Sequence, residues 1–159
     1  PCERYTTSGN QLCNSYIAIN SGGITGKGLG NSTQKYLYLP EAHTDFIFAI
    51  IVEELGLICG VMLFGLYGML LLFIIRIGKK SYRTSHYLIC YGVAIYLFLH
   101  IIINLGGVLG IIPITGVPLP FMSYGGSFCW CSLFALTMVQ RVCYESNNQK
   151  VKKIKKYQK

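Results

Sequence analysis

The chain has 159 residues, 52% of them hydrophobic and 13% charged, with a formal net charge of +8. The charges are unevenly placed: Asp, Glu, Lys and Arg are absent between residues 84 and 140, and between 46 and 75 only Glu53 and Glu54 are charged. Uncharged apolar runs beyond about 18 residues read as membrane-spanning helices, which excludes a water-soluble domain.

Residues 141–159 hold seven basic residues against one acid, Glu145. Beside a membrane such a tail reads as a topology anchor. Basic and aromatic residues are not interleaved on any face as base stacking needs, so nucleic acid is not an expected partner. Of the seven cysteines, Cys59, Cys90, Cys129, Cys131 and Cys143 fall in or beside apolar runs and read as small hydrophobes. Cys2 and Cys13 would pair only on an oxidising side, and a bridge between them is not expected. The chain starts without Met, inside a polar stretch unlike a signal peptide, so it is expected to be a C-terminal piece of a longer protein.

Taken in order, residues 1–44 are polar, Gly-rich and Tyr-rich, and are expected to form a loop outside the membrane. Gly22, Gly23, Gly26, Gly28 and Gly30 precede Gln34 and Lys35. A phosphate-binding P-loop needs Gly five residues before its Gly-Lys and Ser or Thr after it; here Ser21 and Gly28 stand at those places. Two readings stay open: a tightly turning loop, or backbone N–H groups laid against a ligand.

Residues 45–77 form the first expected span. At 3.6 residues per turn Asp45, Ala49 and Glu53 share a face that Gly56 and Gly60 continue, and Gly56-x-x-x-Gly60 suits close helix packing. Asp45, the only aspartate in the chain, sits at the mouth of this run. Glu53 and Glu54 lie inside it without a Lys or Arg partner, and ionisable groups at membrane depth are functional candidates by default. Structural or tuning roles are expected for both.

Residues 78–86 form a basic connection, cytoplasmic by the positive-inside rule. The second span, 87–110, carries His100 and Asn104 one turn apart, the histidine reading as a hydrogen-bonded packing residue rather than a ligand. Gly106-x-x-x-Gly110 repeats the close-packing pattern. Residues 111–127, IIPITGVPLPFMSYGGS, contain three prolines and cannot be a regular helix. Being uncharged, they read as a re-entrant or interfacial loop shielded by protein. The last span, 128–143, is short unless it begins within SYGG, and 144–159 form a basic cytoplasmic tail. Three spans place 1–44 and 111–127 on one outer face, where the site is expected.

The runs GKGLGNSTQKYLYLPEAHTDFIFAIIVEELG and GIIPITGVPLPFMSYGGS resemble the SEDS family (FtsW/RodA/SpoVE-like), multi-spanning membrane proteins of cell division, elongation and sporulation. One departure is Phe128, where the family usually has a second Ser. The resemblance implies an all-α membrane protein, with about three spans here out of ten. It also implies a multi-pass place in the bacterial plasma membrane, or that of a wall-bearing organelle. The implied activity is inverting peptidoglycan glycosyltransfer, polymerising lipid II onto a lipid-linked glycan strand outside the membrane. The implied partners are a class B penicillin-binding protein and other divisome or elongasome proteins; the division type fits better than the elongation type.

The family's essential acid falls on Asp45. Inverting transfer needs a base for the acceptor hydroxyl, and the lipid diphosphate leaving group needs cationic or metal stabilisation. Asp45 is the expected base, or else a ligand for a divalent cation, Mg or Mn. Lys35 and Lys27 are candidates to face the diphosphate, with Glu41, His43 and Thr44 supporting Asp45. Pro113, Thr115, Gly116, Pro120, Ser123, Tyr124, Gly125, Gly126 and Ser127 are expected to line the substrate cavity, Ser123 and Tyr124 as hydrogen-bond donors. On the residues alone Asp45 reads as a helix cap and Glu41 as a solvated loop residue. Rival functions are a lipid II flippase and a non-catalytic scaffold recruiting the transpeptidase; a generic transporter would want charged pairs at mid-span.

Overall fold

The computed structural model describes residues 7–32, 46–81, 83–113 and 115–157. Its elements are α1 (Thr7–Gly22), α2 (Ile47–Lys80), α3 (Thr84–Val108) and α4 (Gly126–Tyr157), with no strand among the described residues. The all-helical expectation holds. α2 and α3 are long and apolar enough to cross a membrane. Leu57, Ile58, Val61, Met62, Phe64, Ile95 and Phe98 are exposed on them. A water-facing helix would not carry so continuous an apolar surface, whereas lipid accepts it.

α3 shows the pattern that drives the packing. His86, Cys90, Ala94, Leu97, Ile101, Asn104 and Val108 recur at three- and four-residue steps and are all buried, so one stripe faces its neighbours. At the end near the α2–α3 connection, Ile74 of α2, Cys90, Ala94 and Leu97 of α3, and Val139 and Val142 of α4 form one cluster. There a Cβ on Gly78 would lie 2.8 Å from Cys90 Cβ, so the helices cross where α2 has no side chain. Lipid tails are as apolar as these side chains, so fit rather than exclusion from water holds this half.

The opposite end departs from expectation. The segment read as a loop contains α1, whose Ser15, Ala18 and Gly22 share one small, buried face. A Cβ on Gly22 would sit 2.2 Å from Val52 O, so α1 meets α2 backbone to backbone. α2 is not one straight helix: Gly56 has φ +87 and ψ 169 inside it. The ring of Phe48 comes within 3.4 Å of where a Gly60 Cβ would be. Twelve residues of straight helix would separate these positions by about 18 Å, so 47–55 is folded back against the part that follows. The continuous face expected through Glu53, Gly56 and Gly60 therefore does not exist, and Asp45, expected on the same face, lies outside the described residues. Gly56 and Gly60 do permit close approach, but to segments of their own chain. The part after the break, 57–80, extends about 36 Å at 1.5 Å per residue, enough for a hydrocarbon core of about 30 Å.

The remaining boundaries shift modestly. α3 begins at Thr84 and ends at Val108, so Gly110 lies beyond it with φ +66. Gly106 and Gly110 make room for Ile112 and for the Tyr16 hydroxyl rather than for another membrane helix. α4 begins inside the SYGG stretch and continues without a break to Tyr157, so the basic tail is helical that far. Cys13 is disulfide-bonded, contrary to expectation, and the bridge's other half lies outside the described residues. The free cysteines among the described residues are Cys59, Cys90, Cys129, Cys131 and Cys143.

Candidate functional site

The break at Gly56 creates a chemical demand. Interrupting a helix orphans the carbonyls before the break and the N–H groups after it, and in an apolar setting each needs a partner. The Gly-rich segment after α1 supplies them. Lys27 N–H donates to Glu53 O at 3.0 Å, Gly28 N–H to Glu54 O at 2.9 Å, and Leu57 N–H donates back to Gly23 O at 3.0 Å. The two backbones lie so close that a Cβ on Gly26 would fall 2.3 Å from Glu54 O, and one on Gly56 2.2 Å from Ile24 O. Both glycines also have positive φ, which only glycine adopts cheaply. Of the two readings of the glycines, the described contacts therefore fit the tightly turning loop, with the Lys27 and Gly28 N–H groups spent on α2 and those of Gly26 and Asn31 on Gly22 O and Gly28 O.

At the centre of this junction Glu53 is fully buried. Its Oε1 accepts from Lys27 Nζ at 3.1 Å and from Ser21 Oγ at 3.2 Å, and its Oε2 accepts from Ser32 Oγ. Lys27 therefore lies in an ion pair, a partner for Glu53 that the sequence reading did not find. A cation placed where the first part of α2 ends also suits the negative pole of that helix segment. Glu54 is half-buried, and its Oε1 has no hydrogen-bond partner among the described residues.

Ser32 and Phe46 bracket residues 33–45. Ser32 is buried on Glu53, and Phe46 is buried in a cluster with Ala18, Ala49, Ile50 and Val108. The expected catalytic residue Asp45 and its expected supports Lys35, Glu41, His43 and Thr44 lie outside the described residues. The N-cap position of α2 is Phe46, with no side-chain cap bond. Phe46 also lines a small cavity of about 10 Å³ together with Asn104, Gly107, Thr115, Gly116 and Val117. Asn104 Nδ2 donates to Val117 O at 2.7 Å, pinning that loop to α3.

The Pro-rich loop dives into the bundle. Leu119 and Pro120 are fully buried, and the Tyr67 hydroxyl, well along α2, donates to Pro120 O. Leu119 packs with Tyr67, Ile101 and Leu105. Leu119 N–H donates to Ser123 Oγ at 2.7 Å, so Ser123 closes a turn, and Phe121 within it takes φ +65. Such a φ is unusual for a bulky residue and persists only where its surroundings impose it. Tyr124 is 87% exposed. Pro113, Thr115, Gly116, Gly126 and Ser127 are exposed and Gly125 is half-buried. Of the expected cavity-lining group, only Thr115 and Gly116 line the cavity beside Phe46.

His100 behaves as a packing residue: its Nδ1 is 2.9 Å from Tyr96 O and its ring stacks on Phe128. Among the described residues no group of three or more His, Cys, Asp and Glu side chains could hold a metal ion. The described residues alone thus offer no ligand set for the divalent cation expected beside Asp45, which itself lies outside them, and Glu53 is engaged by Lys27 and two serines. Sequence reasoning missed Ser21 and Ser32, whose only signal was two hydroxyls flanking the glycines. It also missed the break, whose signal was a glycine three residues after a glutamate in an otherwise apolar run.

Comparison with known proteins adds the following. A family described as "Cell cycle protein" and covering FtsW, RodA and SpoVE matches residues 1–148. The chain is 48% identical over 145 residues to a probable peptidoglycan glycosyltransferase FtsW of Coxiella burnetii, covering 89% of this chain and 39% of that protein. It is 50% identical over 127 residues to the probable peptidoglycan glycosyltransferase FtsW of Bacillus subtilis, covering 80% of this chain and 32% of the relative. Among solved structures it is similar to a peptidoglycan synthase complex described as coordinating polymerization and crosslinking, with TM-score 0.67 and 31% identity, over 84% of this chain and 37% of that one. It is also similar to the rod shape determining protein RodA of Thermus thermophilus, crystallised as an aspartate-to-alanine mutant, with TM-score 0.63 and 38% identity, over 67% and 36%. The chain thus spans less than two-fifths of the length of each of these relatives.

Proposed function

This chain belongs to the FtsW/RodA/SpoVE family of cell cycle proteins, and from that premise we propose that it is part of a peptidoglycan glycosyltransferase that polymerises lipid II during cell division. What carries the reading is that relatives 48–50% identical over at least 80% of the chain are named as probable peptidoglycan glycosyltransferases. In this reading the protein is multi-pass, with the first part of α4 as a third span. The Gly-rich and Pro-rich loops lie outside, and the basic connection and tail in the cytoplasm. The disulfide at Cys13 supports the outer placement, since such bridges persist on the oxidising side of the membrane.

Asp45 is the general base. It takes the proton from the acceptor sugar hydroxyl as that oxygen attacks the anomeric carbon, while the lipid diphosphate leaves. The anchors on either side of 33–45 support this role: Ser32 fixed on Glu53 and Phe46 packed on α1 and α3 hold the chain that carries Asp45. Glu53 and Lys27 are positioning residues, and Lys35 is the cation left to face the diphosphate. The apolar groove of about 230 Å³ lined by Phe48, Leu57, Gly60, Val61, Phe64, Leu105 and Leu109 suits a lipid-linked substrate, because it opens at this same end. The transpeptidase partner follows from the synthase complex to which the chain is similar.

The test is polymerisation of labelled lipid II by the full-length protein with its transpeptidase, comparing wild type with Asp45→Asn. Loss of a general base lowers the rate by about 10²–10⁴-fold. Continued polymerisation by the mutant would remove Asp45 from the mechanism. Lost polymerisation with protein and complex intact would exclude a purely scaffolding role.

A further inference from the structure

At the end of the bundle far from this site, a cavity of about 190 Å³ opens between α2 and α4. Phe73 and Ile77 form its apolar wall, and Arg76, Lys80, Ser146 and Asn147 its polar rim. Arg76 and Lys80 are one turn apart on α2, both exposed, with no acidic side chain on the lining. The ion pairs among the described residues are Lys27–Glu53, His86–Glu145 and Arg141–Glu145, so neither cation has a carboxylate. Glu145, the nearest acid on α4, is held by His86 at 3.2 Å and Arg141 at 2.8 Å. Ser146 Oγ donates to Lys80 O at 3.3 Å and fixes this end of α2 on α4.

The Arg76 guanidinium lies 5.9 Å from the centroid of the Phe73 ring, a cation–π contact that brings no counter-charge. Among the described residues these two cations at the end of a membrane helix, above an apolar wall, therefore meet no anion. We propose that this cavity binds the phosphate of an anionic membrane lipid. Arg76 and Lys80 hold the phosphate oxygens, and the acyl chains run along Phe73, Ile77 and the exposed Leu72 and Met69. A soluble phosphate would satisfy the cations but leave the apolar wall uncovered, so the membrane lipid is the occupant. The basic residues of 141–159 raise the local concentration of such lipids but are not the site. The proposal rests on α2 crossing the membrane and is independent of the glycosyltransferase reading.

The experiment uses the full-length protein in nanodiscs of phosphatidylcholine with a minor fraction of phosphatidylglycerol, extracted gently and weighed by native mass spectrometry for retained phosphatidylglycerol. Carbonate extraction first establishes that each variant is membrane-integral, and thermal unfolding that it is folded. R76Q/K80Q is expected to lower retention by about tenfold or more, while the tail control K152Q/K153Q lowers it by less than about twofold. The swap R76K/K80R, which keeps both charges, is expected to retain the lipid. Inorganic phosphate in excess is expected not to displace it. Undiminished retention in R76Q/K80Q, an equal loss in the tail control or in the swap, or displacement by inorganic phosphate would each overturn the proposal. No lipid II is present, so the outcome does not depend on the proposed activity.

Discussion

The two ends of this bundle are built by different physics. At the basic end α2, α3 and α4 meet through Ile74, Cys90, Ala94, Leu97, Val139 and Val142, interchangeable contacts governed by shape. At the glycine end the chain breaks a helix, mends it with another segment's backbone, and locks the repair with a buried carboxylate bound by Lys27, Ser21 and Ser32. An apolar cluster degrades gradually when altered, whereas a polar junction enclosed by apolar surroundings fails when one member is removed. The end that carries the proposed chemistry is the one built so as to have a single arrangement.

That contrast is broken most severely at Gly56. Alanine there faces both a φ of +87 and backbone at 2.2 Å, and strain plus overpacking predict a loss of about 4 kcal/mol, read as a fall in the thermal midpoint of the full-length protein. Lys27→Ala leaves Glu53 buried without its cation, a change worth about 3 kcal/mol. Adding Glu53→Gln, which removes the stranded charge, is expected to recover a substantial part of that loss. If the double mutant is no more stable than Lys27→Ala, the ion pair does not organise the junction.

Smaller effects sharpen the comparison. Tyr67→Phe removes the bond to Pro120 O and should cost about 1 kcal/mol, with faster amide exchange confined to the turn at 117–123. Gly65 lies on the same helix as Gly56 but with nothing within 4 Å of its would-be Cβ. Gly65→Ala is therefore expected to be neutral or to stabilise by about 0.5–1 kcal/mol through helix propensity. A marked destabilisation would show that another part of the full-length protein packs on that face.

Much of the fold was legible in the residues. The long apolar runs, interrupted only by Glu53 and Glu54, marked the helices α2 and α3. Three prolines kept the described residues of 111–125 out of helix, and SYGG held the start of α4, two residues inside the stretch read as loop. The motifs named the family. The role of Glu53 was not legible, because its partners stand 21 to 32 residues away and periodicity reports only neighbours on the same element. Gly56 looked like part of a small-residue packing stripe, since a glycine in an apolar run reads identically whether a helix passes over it or stops at it.

Local composition fixed which segments are apolar enough to be helices in lipid, because burial and backbone pairing there depend on each stretch by itself. Where the helix breaks, which backbone mends it and which cation meets the buried carboxylate were decided only in the tertiary structure. Those are agreements between segments distant in sequence. Each becomes favourable only once the other is in place.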